Sequence, residues 1–166
     1  MKIQDLQLLF EYNHWANERV LRYAARLTTR QLNAPAKLGQ GSVLQALVHI
    51  VDVEWSWRRA CQEGHLPADY LTVEQFPTIP ALRVYWRDDM AQTMAYLAIL
   101  TDQTVHQAVQ YDWPRARPRK KMLWHILVHI VNHGTHHRSE VSHYLATCGH
   151  SPGSMDFLNF VTKRKA

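Results

Sequence analysis

The sequence predicts an all-α fold: a four-helix bundle with a long crossover between the second and third helices and a short C-terminal helix. Three observations predict it. Apolar residues recur at three- and four-residue steps through four long segments. Capping and breaking residues stand at the ends of those segments. A proline-punctuated connection in the middle of the chain is long enough to travel the length of a bundle rather than close a tight hairpin.

The elements follow in order. Leu6, Leu9, Phe10, Ala16, Val20, Tyr23 and Leu27 mark a first amphipathic helix from Ile3 to about Leu27. Pro35 and Gly39 break the segment behind it. Ser42-Val-Leu-Gln45 has the form of a capping box, in which each of two side chains satisfies the other residue's free backbone N–H. The apolar run behind it, Val43 to about Gln62, ends at Gly64, as helix terminations often do. Pro67, Pro77 and Pro80 punctuate the crossover. The third helix runs from near Ile79 to about Thr101 and carries Leu82, Tyr85, Trp86, Met90, Met94, Leu97 and Leu100. Between Asp102 and Pro118 the helical period fails; Val105, Val109 and Tyr111 alternate briefly, and the segment reads as a loop. The fourth helix spans about Arg119 to Cys148 and stops at Gly149, and Ser154 to Val161 make a short terminal helix.

A chain of 166 residues, 46% apolar and 20% charged, suits a single domain, 1–166, with a substantial core. No stretch approaches the roughly 18 to 20 uncharged apolar residues that span a bilayer. The start, Met1-Lys2-Ile3-Gln4-Asp5, lacks the pattern of a signal peptide. The expectation is a cytoplasmic protein with no membrane partner. Cys61 and Cys148 are too few and too distant for a thiolate site or a disulfide framework and read as small apolar residues. The formal charge of +5 concentrates at Arg115-Ala-Arg117-Pro-Arg119-Lys120-Lys121 and at Lys163-Arg164-Lys165. No helix-turn-helix, zinc-finger or RNA-binding signature accompanies these runs, so nucleic acid is not the expected partner. They read as solvated segments, with an anionic small molecule or cofactor as the functional alternative.

The clearest functional signal is a density of histidine. Six of the eleven histidines lie between His125 and His143. Neutral imidazole is the commonest protein ligand for transition metals. Spacing of i, i+4 stacks two side chains on one helical face, so His133 and His137 make half a chelate. With His125 at 0° on a helical wheel, the apolar residues of the fourth helix centre near roughly 150°. His137 falls inside that sector at roughly 120° and His133 at its margin at roughly 80°, whereas His129, His136 and His143 point away. A third ligand has to come from another helix. His49, within Leu47-Val48-His49-Ile50-Val51, leads, and His14 is the weaker candidate. Glu54 and Glu140 read as solvated or salt-bridged carboxylates, or as acceptors behind a ligand. Trp57 lies two turns beyond His49 and could border its pocket. On spacing and facing alone, a metal site on His49, His133 and His137 and a set of hydrogen-bonded structural histidines both remain open.

Tyr12-Asn-His-Trp15-Ala-Asn17, His49 with Trp55, and Asn132-His133-Gly-Thr-His-His137-Arg138 together resemble the DinB-like (YfiT-related) bundle family. The resemblance spans nearly the whole chain, to the segment Gly149-His-Ser-Pro152 and Asp156. Its most specific element is the Asn-His-x-x-x-His-Arg string. In the family, the two histidines of that string and one histidine of the second helix bind a divalent metal, which carries over as His49, His133 and His137. The family commonly continues with Gly-Gln, whereas here Ser139-Glu140 follow Arg138, which makes the surroundings more acidic.

The resemblance implies a divalent-metal protein, commonly a homodimer, related to enzymes that use bacillithiol, mycothiol or glutathione for group transfer or isomerisation. Zinc or nickel is the first expectation, with iron or manganese behind them. Three neutral ligands leave the full charge on the ion, which lowers the pKa of a bound water or thiol. The expected function is therefore metal-dependent thiol transfer or hydrolysis on a small molecule. For a low-molecular-weight thiol, Arg138 or the basic run Arg115 to Lys121 could hold the anionic end, although each reads first as ordinary surface charge. The rival reading is a non-catalytic, stress-related protein whose metal only pins two helices, and a fourth protein ligand such as His14 would favour it.

Overall fold

A computed structural model describes residues 1–36, 38–112 and 117–164, apart from the side chain of Lys163. Arg115 and Lys165, which figured in the sequence reading, lie outside the described residues. The fold is mostly helical. Four long helices form the bundle: α1 (Ile3–Ala24), α3 (Val43–Glu63), α4 (Ile79–Ala98) and α6 (Leu123–Thr147). Short helices α2 (Thr29–Asn33) and α5 (Asp102–Val105) sit in the connections, and α7 (Phe157–Arg164) ends the chain. Each of α1 and α3 packs against both α4 and α6, so α1 and α3 stand diagonally across the bundle. Among the described residues no helix is long and apolar enough to cross a membrane.

Local chemistry sets the helix ends. Ser42 and Gln45 form the expected box: Gln45 N donates to Ser42 Oγ at 3.2 Å and Ser42 N to Gln45 Oε1 at 2.9 Å. Gly64 then closes α3 with a φ of +79°, the left-handed region that glycine enters without steric cost. At the end of α6, His150 N donates to Leu145 O and Gly149 N to Ala146 O, a Schellman closure around the positive φ of Gly149. The first helix stops three residues short of the expected Leu27, because Thr28 caps α2: its Oγ1 accepts from Gln31 N and its N–H donates to Gln31 Oε1 in return. The terminal helix begins at Phe157 rather than Ser154 and lays Phe157 and Phe160 on Tyr12 of α1.

The crossover behaves as its length suggested. Glu54 of α3 meets Trp86 of α4, and Arg58 meets Asp89, so the two neighbouring helices run in the same direction. The chain must therefore travel back along the bundle between them. Leu71 N donates to Asp52 Oδ1 at 2.8 Å, which ties the crossover to the outer face of α3.

The segment read as a loop after α4 is different. Ala108–Tyr111 (β1) and Arg119–Met122 (β2) pair as an antiparallel hairpin, with Ala108 opposite Met122 and Tyr111 opposite Arg119. The brief alternation at Val109 and Tyr111 was a strand signal. The fourth long helix consequently starts at Leu123, not near Arg119, because the backbone of residues 119–122 is committed to the ladder. Leu123 N donates to Gln107 O at 2.9 Å, fixing where the helix leaves the hairpin.

The core is two apolar clusters with a polar layer between them. One cluster gathers Val20, Leu47, Val51, Leu82, Trp86, Val141 and Leu145. The other gathers Leu6, Phe10, Met90, Leu97, Leu127 and Ile130. At mid-bundle stand Asn13, Asn17, Glu54 and Arg138, all buried. The guanidinium Nη1 of Arg138 donates to Asn13 Oδ1 at 2.5 Å and to Asn17 Oδ1 at 2.8 Å. The two amides turn their Nδ2 groups the other way and donate to Glu54 Oε1 at 2.6 and 3.1 Å. Trp86 Nε1 completes the carboxylate, donating to Oε2 at 2.6 Å. One network thus links all four long helices. Arg138 is not the surface charge the sequence suggested, and Glu54 is neither solvated nor directed at the histidines: Arg138 is 2% exposed and Glu54 5%.

Gly134 makes room for this network. A Cβ there would meet Arg138 Nη1 at 2.6 Å and Asn13 Oδ1 at 3.1 Å. The guanidinium cannot retreat without giving up both asparagines. Glycine inside a helix ordinarily costs about 1 kcal/mol relative to alanine, yet Gly134→Ala is expected to destabilise the protein in urea denaturation; a gain in stability would contradict the steric reading. Glu54→Ala leaves a buried guanidinium without its counter-charge and is expected to cost about 3–5 kcal/mol. A loss below about 1 kcal/mol in the same measurement would show that the network is not holding the helices together.

Candidate metal centre

Positions 49, 133 and 137 converge because α3 and α6 pack side by side. His133 and His137 are one turn apart on the face of α6 that turns toward α3, and His49 looks back from α3. The ring centroids form a nearly equilateral triangle: His49–His133 4.9 Å, His49–His137 4.9 Å and His133–His137 4.6 Å. One nitrogen from each ring lies within 4.8 Å of the others, so the cluster could hold a metal ion. The helical wheel separated these residues correctly from their neighbours, since His125, His129, His136 and His143 are all exposed.

The surroundings favour neutral imidazole, the form that ligates. Burial, then the nearby His137, His49, His129 and His136 rings, push the His133 pKa down from 6.5 to about 3. Burial likewise lowers His49, with His137 adding to the effect and Glu140 opposing it. His133 Nδ1 is buried and has no hydrogen-bond partner. A polar atom in that state is expected to have a use beyond packing. Three imidazoles with one unsatisfied buried nitrogen fit a divalent cation in donor type and number.

Glu140 takes the supporting role that was one of its two readings. Its Oε2 lies 2.8 Å from His137 Nδ1, which holds that ring and leaves Nε2 as the nitrogen available for a metal. The other carboxylate oxygen accepts from Gly39 N at 3.3 Å, tying the loop before α3 to α6. His136, His137 and Glu140 also lie close enough to form a ligand group, but they share His137 and sit on one helix. His14 is elsewhere, lining a groove between α1 and α4 with Arg87 and Met94. No fourth histidine, cysteine or carboxylate joins the triad among the described residues. Cys61 supplies no reactive thiol either, because burial pushes its pKa up to about 12.

A cavity of about 580 Å³ opens beside His49 under the crossover. Val53, Trp57, Leu66 and Tyr70 give it an apolar and aromatic lining. Its acidic residues are Asp52 and Glu74, with no lysine or arginine among the described lining residues. Trp57 therefore does border the pocket, as its spacing from His49 suggested. Nothing in the sequence marked the roof, since only the fold brings residues 66–74 over α3.

The depressed His133 pKa has a sign that can be measured. The folded state resists protonating this ring whereas the unfolded chain protonates near 6.5, so the contribution of His133 to stability is complete above pH 6.5 and is lost as pH falls toward 3. In metal-stripped protein, the stability difference between the parent and His133→Asn is expected to move against the parent across that window. A difference independent of pH, measured by thermal unfolding, would contradict it.

Comparison with known proteins identifies the family. A family model described as the DinB family matches residues 1–165. Among curated proteins, the uncharacterized protein YizA of Bacillus subtilis (strain 168) is 26% identical over 157 residues, covering 93% of this chain and 94% of YizA. Protein DinB of the same organism is 23% identical over 161 residues, covering 93% and 94% of the two chains. The full-length match to the family model, on a helical bundle that gathers His49, His133 and His137, places the chain in the DinB family.

Proposed function

We propose that this protein is a divalent-metal-dependent enzyme of the thiol-transfer or hydrolytic type, acting on a small molecule, with the ion held by His49, His133 and His137. The observation that carries the reading is the approach of three imidazole nitrogens to within 4.8 Å of one another, with one of the three rings, His49, lining a cavity of about 580 Å³. A divalent ion on three neutral ligands acts as a Lewis acid with room for a further ligand, and lowers the pKa of a thiol or water placed there. The chain's own residues do the rest. Glu140 orients His137, and the buried surroundings keep His133 and His49 in the neutral form. Trp57, Tyr70 and Leu66 line the apolar side of the adjoining pocket.

Zinc or nickel is the ion we favour, because imidazole donors suit both. Arg138 is withdrawn from any substrate role by its place in the buried network, so an anionic co-substrate has to be held elsewhere. A homodimer is also proposed, on family grounds. The absence of a fourth ligand among the described residues supports catalysis over a purely structural ion, which normally has a closed set of four.

Elemental analysis of untagged protein tests the assignment. About one divalent ion per chain is expected in the parent. His49→Ala, His133→Ala and His137→Ala should each lose it, while His14→Ala, His129→Ala and His136→Ala keep it; the reverse pattern would reject the triad. Turnover of chromogenic esters, or of an electrophile with an added low-molecular-weight thiol, should require the ion and disappear in the same three variants. Full occupancy without turnover on either substrate class would leave the ion a structural role.

A further inference from the structure

A second cavity, of about 360 Å³, lies on the hairpin side of the triad. Two-residue alternation along β2 puts Arg119 and Lys121 on one face of the hairpin, cross-strand from Tyr111 and Val109, and sends Lys120 to the other. On α6, His125 and His129 stand one turn apart on the side the core does not use. The two surfaces converge: Arg119, Lys121, His125 and His129 line the cavity with Tyr111 and Trp57, and no carboxylate joins them among the described lining residues. The cavity lies beside the first turn of α6, which carries no acidic residue, so the positive end of the helix dipole adds to the field there.

Trp57 belongs to both cavities. Its ring meets Tyr111 edge-on at 5.1 Å and His129 at 5.7 Å, and His129 in turn lies 5.8 Å from His133. One indole thus separates a basic cavity from the pocket of His49, whose carboxylates Asp52 and Glu74 repel anions. Two neighbouring cavities of opposite electrostatic character impose a direction on any ligand long enough to occupy both.

We propose, resting on the metal-dependent reading above, that the substrate or co-substrate is a two-part small molecule. Its carboxylate, phosphate or sulfonate group is held by Arg119 and Lys121 with His125 and His129, and its flat or apolar body crosses Trp57 to bring the reacting end to the pocket of His49. Arg119 and Lys121, rather than Arg138, are the residues that select an anionic ligand.

Calorimetric titration of the full chain with phenylphosphonate, benzyl alcohol and benzylamine tests this, using both metal-stripped and metal-loaded protein. Phenylphosphonate should bind the stripped protein and the other two should not. Arg119→Glu and Lys121→Glu should each weaken binding by about tenfold, the loss of one charged hydrogen bond. Lys120→Glu makes the same charge change on the opposite face of the hairpin and should leave binding as in the parent. All three variants should keep the parent's metal content, which separates failure of this cavity from failure of the triad. Should a variant fold poorly, the indole N–H signal of Trp57, assigned through Trp57→Phe, should shift when phenylphosphonate is added to the parent. Equal effects of Lys120→Glu and Lys121→Glu, binding that appears only when metal is loaded, or tighter binding of a short single-stranded DNA would overturn the proposal.

Discussion

A guanidinium in the middle of a helical bundle has to be compensated on the spot, and the way Arg138 is compensated organises the rest of the molecule. Its charge is passed through two asparagine amides to a buried carboxylate, each amide offering oxygen to the arginine and nitrogen to Glu54. A hydrogen-bonded layer of this kind tolerates little sliding, because a shift of one residue in any helix leaves a charge unpaired in a low-dielectric interior. The layer therefore sets the register of α1, α3, α4 and α6 in a way that two apolar clusters alone would not.

Register is what the histidines need. His137 precedes Arg138 in the chain, and His133 precedes Gly134, the residue that makes room for the arginine. Pinning Arg138 inward rotates α6 so that positions 133 and 137 face α3. Pinning Glu54 does the same for α3, whose His49 then meets them. Glu140 adds a tether, holding His137 with one oxygen and the loop before α3 with the other. Structural polarity and candidate ligands alternate along the same few turns of helix, so a change to one is felt by the other.

Around the triad the protein separates charge by sign. Arginine and lysine from the hairpin collect on one side of Trp57, and carboxylates collect under the crossover on the other. The carboxylates, Asp52 and Glu74, are far apart in sequence, whereas the hairpin cations come from one short run. The hairpin is a short excursion between long helices, and its geometry turns the run at residues 119–121 from an undifferentiated basic stretch into two faces with different surroundings.

The chain by itself determined its helices, because their signals are local: apolar periodicity, the Ser42–Gln45 box, and Gly64 and Gly149 at the ends. It also singled out His133 and His137, since i, i+4 spacing and the position of an apolar sector are properties of one helix. A resemblance was needed to favour His49 firmly over His14, because which helices are neighbours is not written in either segment. Arg138 and Glu54 could not be read as buried from sequence: an isolated charge predicts exposure, and only four partners brought from α1, α3 and α4 reverse that preference. The hairpin was missed for a related reason. Four residues of alternation are a weak signal alone, and the ladder exists because the second strand, separated from the first in sequence, supplies its hydrogen bonds. What tertiary structure decided, throughout, was the fate of groups whose energy depends on a partner from elsewhere in the chain.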